Sequence, residues 1–255
     1  MPSQKELQEM YDNLDELQVG LKDGFRFNCL SCGKCCTQRE DILLSPMDLF
    51  RIAHYLGKSN KDIIETYCDV YTGESSRIPI VRLMPKGENR DCPLLENNRC
   101  IVHAAKPSVC ALFPLGRFVK FTSDDAENLN DAELQIGYLR NPTGCGGRAY
   151  NKVKRWLESF GIDPDDKPYL LWTKTTAQLG NFIRTLENQE RKIPDAGFKT
   201  IWNIAGELLY LRYDTQKEFT AQFESNIEEM WCMIEKLDTN IIQPYLRGDL
   251  DNEPK

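Results

Sequence analysis

The stretch Cys29-Leu-Ser-Cys32-Gly-Lys-Cys35-Cys36 places four thiols within eight residues, a density that side-chain packing does not require. Four more follow at Cys92, Cys100, Cys110 and Cys145, and with Cys68 nine of the ten cysteines lie in the first 150 residues. Whether such thiols pair with each other or with a metal depends on the compartment. Residues 1 to 20 carry Glu6, Glu9, Asp12, Asp15 and Glu16 and lack the basic start and apolar centre of a signal peptide. A cytoplasmic location is therefore expected, where clustered thiols bind metal or do redox chemistry rather than persist as disulfides. A secreted disulfide framework is the alternative, and 255 residues is long for one.

Composition narrows the classes further. A formal charge of −7 supplies none of the basic face that a nucleic-acid-binding module presents, so no nucleic acid is expected as partner. The apolar runs, such as 78–84 and 208–211, are too short or too interrupted to span a bilayer, so no membrane is expected either. The chain is long enough for one large domain or two smaller ones.

Read in order, residues 3 to about 20 have the spacing of an amphipathic helix, with Leu7, Met10, Leu14, Leu17 and Leu21 three or four apart. Ser45-Pro46-Met47-Asp48 and Ser59-Asn60-Lys61-Asp62 are helix starts, the first helix running to Gly57 and the second to about Tyr71. Residues 77–84 predict a short strand, which Pro79 would put at a sheet edge, and Gly116 to Thr122 a second. Asp124 to Asn130 predicts an exposed loop, and Asn141-Pro-Thr-Gly-Cys145-Gly-Gly a tight turn. Beyond Cys145, four helices are expected: around Trp156 to Phe160, and over about 167–190, 198–213 and 215–238, followed by a frayed tail. The expected fold class is mainly α, a loop-rich, metal-stapled cysteine module with a few short strands followed by a helical region. The division expected is a cysteine-cluster metal-binding domain over 1–150 and a helical C-terminal region over 151–255.

A Cys-x2-Cys pair lets two sulfurs converge on one ion, because the tight turn between them aims backbone N–H groups inward. Here that spacing is doubled, 29 to 32 and 32 to 35, with Cys36 adjacent. Consecutive side chains diverge, so Cys35 and Cys36 are expected to serve different metals, or one of them to stand behind the ligands. Eight thiols then suggest two four-ligand sites sharing this segment, or one cluster plus a structural ion. The identity of the metal stays open between an iron–sulfur cluster, whose bacterial ferredoxin run starts in the same way but needs a nearer Cys-Pro than Cys92-Pro93, and zinc. Lys34, Arg39, Arg99, Lys106, Arg117 and Arg148 lie near cysteines in sequence and can offset thiolate charge in either case.

Cys29-x2-Cys32-x2-Cys35-Cys36, Cys92-Pro93-Leu94-Leu95, Cys100-Ile101-Val102-His103, the run Lys106-Pro107-Ser108-Val109-Cys110-Ala111-Leu112-Phe113-Pro114, and Cys145-Gly146 together resemble the CxxCxxCC family, also called the YkgJ-type cysteine cluster or zinc- or iron-chelating domain. The resemblance covers about residues 25 to 150. It implies that Cys29, Cys32, Cys35, Cys36, Cys92, Cys100, Cys110 and Cys145 are the metal ligands. Some relatives are described as flagellin lysine N-methylases, which brings in protein lysine methylation, with S-adenosylmethionine as cofactor and a protein as substrate, by analogy alone. The family pattern has Arg before the Pro and after the third downstream cysteine, where this chain has Lys106 and Ala111. An acidic or phosphate-bearing partner therefore does not carry over.

Cys68 and Cys232 are expected as core residues on apolar helix faces, His103 as a residue beside the ligands rather than among them, and His54 as a packed or solvated mid-helix residue. Trp172, Phe182, Trp202, Phe223 and Trp231 are expected to form a helical-bundle core. Gly144-Cys-Gly-Gly147 follows no strand and lacks nucleotide-loop spacing, and two histidines with scattered serines supply no Ser-His-Asp set. The function expected is metal binding by a cysteine cluster. A protein-lysine N-methyltransferase and a redox or metal-delivery module are the alternatives. No catalytic residue and no oligomeric state is assigned.

Overall fold

The computed structural model describes residues 16–38, 42–121, 134–141 and 145–249, and about 49% of it is helical. Strands β1 (Gln18–Val19) and β2 (Gly24–Arg26) lead into the cysteine-rich loop, which closes in a 3-10 turn over Lys34–Cys36. Then come β3 (Leu43–Leu44), α1 (Pro46–Leu56), α2 (Asn60–Tyr67), β4 (Cys68–Thr72) and β5 (Pro79–Leu83). A hairpin of β6 (Leu95–Glu96) and β7 (Arg99–Cys100) precedes a 3-10 turn at His103–Ala105 and the short α3 (Ser108–Leu112). Strands β8 (Leu115–Phe121), β9 (Leu134–Arg140) and β10 (Tyr150–Lys152) follow. The rest is helical: α4 (Val153–Ser159), α5 (Lys167–Glu187), α6 (Asp195–Gly206), α7 (Phe219–Leu237) and α8 (Gln243–Arg247). Both α6 and α7 run on into a π-helical turn, at Glu207–Leu211 and Asp238–Ile242.

Packing divides the chain into two compact units, each assembled from separate stretches: Met1–Ile42 with Pro85–Leu170, and Leu43–Met84 with Leu171–Lys255. All eight grouped cysteines fall in the first unit, while Cys68 and Cys232 fall in the second.

In the first unit, β8 and β9 pair antiparallel along their whole length, from Leu115 opposite Arg140 to Phe121 opposite Leu134, and β1 adds to the far edge of β9. A second ladder joins β2 to β10, with Phe25 opposite Asn151. Their apolar faces enclose one core of Phe25, Phe27, Ala111, Leu112, Leu115, Tyr138, Val153, Leu157 and Ile162. Trp156 meets Phe25, Phe27 and Phe160 edge-on at centroid distances of 5.6, 5.7 and 5.2 Å, the geometry that aromatic quadrupoles favour. Beside it, Arg117 is bonded to Asp166 at 2.6 Å with its side chain only 7% exposed, and its guanidinium lies over the Tyr169 ring.

In the second unit, α1 and α2 start as their sequences predict. Ser45 and Ser59 each accept from the backbone of Asp48 and Asp62, whose carboxylates accept in return from the serine N–H, so two orphan donors per helix are satisfied. Helix α2 is shorter than expected. It stops at Tyr67, because Cys68-Asp-Val-Tyr-Thr72 has the β-branched and aromatic content of a strand and becomes β4. The expected edge strand is instead central, in the order β3-β5-β4. Pro79 is its first residue, and β3 reaches only Val81 and Arg82, so the missing N–H of Pro79 costs no ladder bond. Helices α5 to α7 close this unit over Leu179, Ile183, Ile201, Leu208, Phe223 and Met230, all buried. Of the expected aromatic core only Phe223 is fully buried, while Trp172, Phe182, Trp202 and Trp231 are half-buried.

Further expectations are corrected or bounded. Of the expected helix over residues 3–20, residues 3–15 lie outside the described residues, Glu16 and Leu17 are helical, and Gln18–Val19 is a strand. Cys232 is exposed rather than core, because the buried stripe of α7 runs through Phe219, Phe223, Ile227, Met230 and Ile234 and position 232 faces away. Cys68 is not on a helix face but caps α2 and opens β4. Strand β9 was not anticipated. The loop expected over 124–130 and the tail beyond 249 lie outside the described residues, as does 142–144 of the Cys145 turn.

Candidate metal centre

The loop from Cys29 to Cys36 is wound by two left-handed residues, Ser31 at φ 52° and Gly33 at φ 73°. This winding turns the Ser31 N–H onto the Cys29 sulfur at 3.4 Å, and the Cys36 N–H closes the 3-10 turn on Gly33 O at 2.8 Å. The sulfurs of Cys35 and Cys36 stand 3.9 Å apart. They do not diverge as their adjacency predicted. Two sulfurs on one tetrahedral zinc, each about 2.3 Å from it, are separated by about 3.8 Å, so this pair already has the spacing of two ligands to one ion.

Each remote cysteine is held by an identifiable anchor. Cys92 donates its N–H to Cys36 O at 2.7 Å, and the buried Leu94 pins the turn that follows. The β6–β7 hairpin carries Cys100 opposite Leu95. Its two turn residues, Asn97 and Asn98, are both left-handed, as a two-residue hairpin of this kind requires. Cys110 sits on α3, whose end carbonyls at Ala111 and Leu112 both accept from the Trp156 indole N–H, at 3.1 and 3.2 Å. At Cys145, the next residue, Gly146, has φ 94°, and a Cβ there would meet the Phe27 ring at 2.3 Å. Gly147 donates to Asn28 O at 2.8 Å, and Ala149 to Asn28 Oδ1 at 3.1 Å. The glycines thus bring this turn against the residue that precedes Cys29.

Electrostatics report the same gathering. The Cys36 thiol is pushed up, first by its contact with Cys35, then by burial, then by the charges of Cys35, Cys92 and Cys110. Burial also pushes the Cys100 thiol up; Lys106 pulls it down, and Cys29 and Cys35 push it up again. Lys106 lies 5.5 Å over the Phe160 ring and keeps one cation beside Cys100. No two of the ten cysteines are joined in a disulfide. Among the described residues, no three His, Cys, Asp or Glu side chains yet stand in a metal-holding arrangement.

The donor set nevertheless fits a thiophilic metal ion. Thiolate sulfur is the ligand that selects zinc and iron, a sulfur pair has single-ion spacing, and a backbone N–H already points at a sulfur. Asp91 Oδ1, one residue before Cys92, is buried without a hydrogen-bond partner, a loss that a nearby cation offsets. His103, in the 3-10 turn, is largely exposed, and the partial loss of its solvent shell, followed by the charge of Lys106, holds its pKa down. The Asn97-Asn98 turn between Leu95-Glu and Arg-Cys100 was the missed signal for the hairpin that carries Cys100. In the other unit, a cavity of about 620 Å³ is lined by Arg212, Tyr213, Asp214 and Gln222. Its polar groups are taken up by one another and by Glu229.

Residues 28–133 match the model of the CxxCxxCC family, described as a “putative zinc- or iron-chelating domain”. The match covers less than half of the chain, and it supports a cysteine-rich protein whose residues 28–133 are similar to a zinc- or iron-chelating domain. No curated protein and no solved structure matches it. No helix among the described residues is long and apolar enough to cross a membrane.

Proposed function

We propose that the first unit is a metal-binding module in which Cys29, Cys32, Cys35, Cys36, Cys92, Cys100, Cys110 and Cys145 hold zinc or iron as thiolates. The observation that carries this reading is at Cys36: Cys35 touches its sulfur at 3.9 Å, and Cys92, 56 positions on, is bonded to its carbonyl at 2.7 Å. Bound metal contributes folding free energy, because the site does not exist in the unfolded chain. It closes loops whose own apolar residues, Leu94, Val102 and Ala105, are few. The test is the zinc and iron content of protein purified without oxygen, together with its absorption spectrum. At least one equivalent of metal is expected; a colourless zinc protein and a coloured iron–sulfur protein are the two forms this reading allows. Less than one equivalent overturns it.

One observation favours a metal-delivery role over a purely structural one. Cys29 and Cys32 are exposed, whereas the other six are half-buried, so part of the ligand set is open to exchange with a second thiol-bearing protein. Transfer of zinc to a chromogenic chelator within minutes supports delivery. Retention over hours leaves the structural role.

A further inference from the structure

In the ladder of β2 and β10, Arg26 stands opposite Tyr150 and Gly24 opposite Lys152. These four positions therefore share one face, the reverse of the face on which Phe25 enters the core. Arg26, Tyr150 and Lys152 are all open to solvent, Tyr150 at 61%. A Cβ on Gly24 would collide with the Tyr150 ring, so the ring lies across the ladder over the position that has no side chain. Arg26 donates to Arg148 O at 3.3 Å, and Arg148 is itself exposed. Among the described residues, none of Arg26, Arg148 and Lys152 is paired with a carboxylate. Other exposed cations are paired, as Lys61 is with Glu65, Lys154 with Glu158 and Arg212 with Glu229. Three uncompensated cations around one open aromatic ring are thus a local departure in a chain of net charge −7. The strip also leads to the thiols. Cys29 lies three positions after Arg26, at most about 10 Å of chain, and Gly147 and Ala149, on either side of Arg148, are both bonded to Asn28. Cys29 and Cys32 are exposed there, and Leu30 between them is 59% exposed.

We infer that the strip of Arg26, Arg148, Tyr150 and Lys152 docks an acidic, extended polypeptide segment of the protein with which the exposed thiols exchange metal. This rests on the metal-delivery reading and names the chemistry of its partner. Carboxylates on alternate residues of an extended segment repeat at roughly 7 Å, which is also the repeat of alternate positions along β10. The two guanidinium groups each offer a fork of donors to a carboxylate, and the Tyr150 ring offers an apolar surface between the charges. The rest of the segment then lies against Leu30, beside Cys29 and Cys32. A nucleic acid fits this strip less well, because a long polyanion would run past it onto the surface of an acidic protein. The strip uses neither Lys106 nor Ala111, the positions at which this chain departs from the family pattern.

Two measurements test the docking strip. The probe is a fluorescein-labelled peptide of alternating glutamate and serine, titrated at low salt with protein purified without oxygen and read by anisotropy. Arg26→Gln/Arg148→Gln/Lys152→Gln should weaken binding at least about tenfold. Lys61→Gln/Lys199→Gln/Lys236→Gln removes the same charge from the other unit and should change binding by less than about twofold. Equal losses in the two variants, or unchanged binding in the first, overturn the inference. The second measurement uses the wild type alone, so no folding defect enters. A carbodiimide joins peptide carboxylates to neighbouring lysine amines as amides, and mass spectrometry should find Lys152 the main site of coupling. Coupling spread evenly over the lysines, or confined to the other unit, overturns the inference. Tighter binding of an oligothymidylate of equal charge, lost in the strip variant, assigns the strip to nucleic acid and overturns the polypeptide partner. Zinc and iron are measured on the same wild-type protein. Bound metal without peptide binding overturns the docking strip and leaves the metal-binding reading standing. Peptide binding without metal overturns the metal-binding reading, and with it the exchange partner.

Discussion

Single residues around the thiols are constrained more by backbone than by side-chain chemistry. Gly146 combines a φ of 94° with a Cβ position 2.3 Å from the Phe27 ring and 3.2 Å from Asn28 O. Gly146→Ala is therefore strained twice, in dihedral and in contact. It is expected to lower zinc affinity at least tenfold by pushing Cys145 away from Cys29, and a competition titration against a chromogenic chelator measures this. An unchanged affinity would show that Cys145 is no ligand. Cys232 provides the contrast. It is exposed on α7, so Cys232→Ser should change stability by no more than about 0.5 kcal/mol and leave metal content as it was. The clustered spacing made the eight thiols legible as a group from sequence. Their pairwise neighbours were not legible, because contact between Cys36 and Cys92 depends on how a 55-residue intervening stretch folds away.

At the scale of elements, the helix starts were written into the chain and their ends only partly. Ser45 and Asp48 form a reciprocal cap on α1, a purely local device. Ser45→Ala should cost about 1 kcal/mol, read from denaturant unfolding, with no effect on bound metal. Helix α4 has a wider role. Its Trp156 holds the end of α3 through two carbonyls while filling the core beside Phe25 and Phe27. Trp156→Phe keeps most of the ring contact and removes the N–H, so a loss of about 1–3 kcal/mol is expected, together with weaker metal binding through a less well-placed Cys110. In β9, Leu134, Ile136 and Tyr138 alternate with Gln135 and Gly137, a strand pattern whose signal a mid-strand glycine weakens. Its Gly137 is set by pairing instead, since a Cβ there would strike the Phe118 ring of β8 at 2.2 Å.

For the whole molecule, the two units predict two responses. Metal linked to folding stabilises only the state that holds it, so a chelator should lower the unfolding temperature of a transition involving the cysteine-bearing unit. A transition of the helical unit should stay in place; calorimetry with and without chelator reads both, and a single transition that shifts as one would contradict the expectation. Alkaline pH acts through Tyr138. Burial pushes its hydroxyl up to about 12 from the ordinary 10, so the neutral form is favoured in the fold. The stability this contributes is full below pH 10 and is lost as pH rises from about 10 to about 12. Tyr138→Phe should flatten that part of the stability profile. What the sequence by itself determined was chemical and local: that eight thiols form one group with the chemistry of metal ligands, and where α1 and α2 begin. Only the tertiary structure decided that residues 43–84 pack with the C-terminal helices, that Pro79 opens a central strand, and that Cys35 and Cys36 converge. The reason is one of range: caps and turns are fixed by hydrogen bonds among near neighbours, whereas the company a strand or a sulfur keeps depends on burial shared by segments distant along the chain.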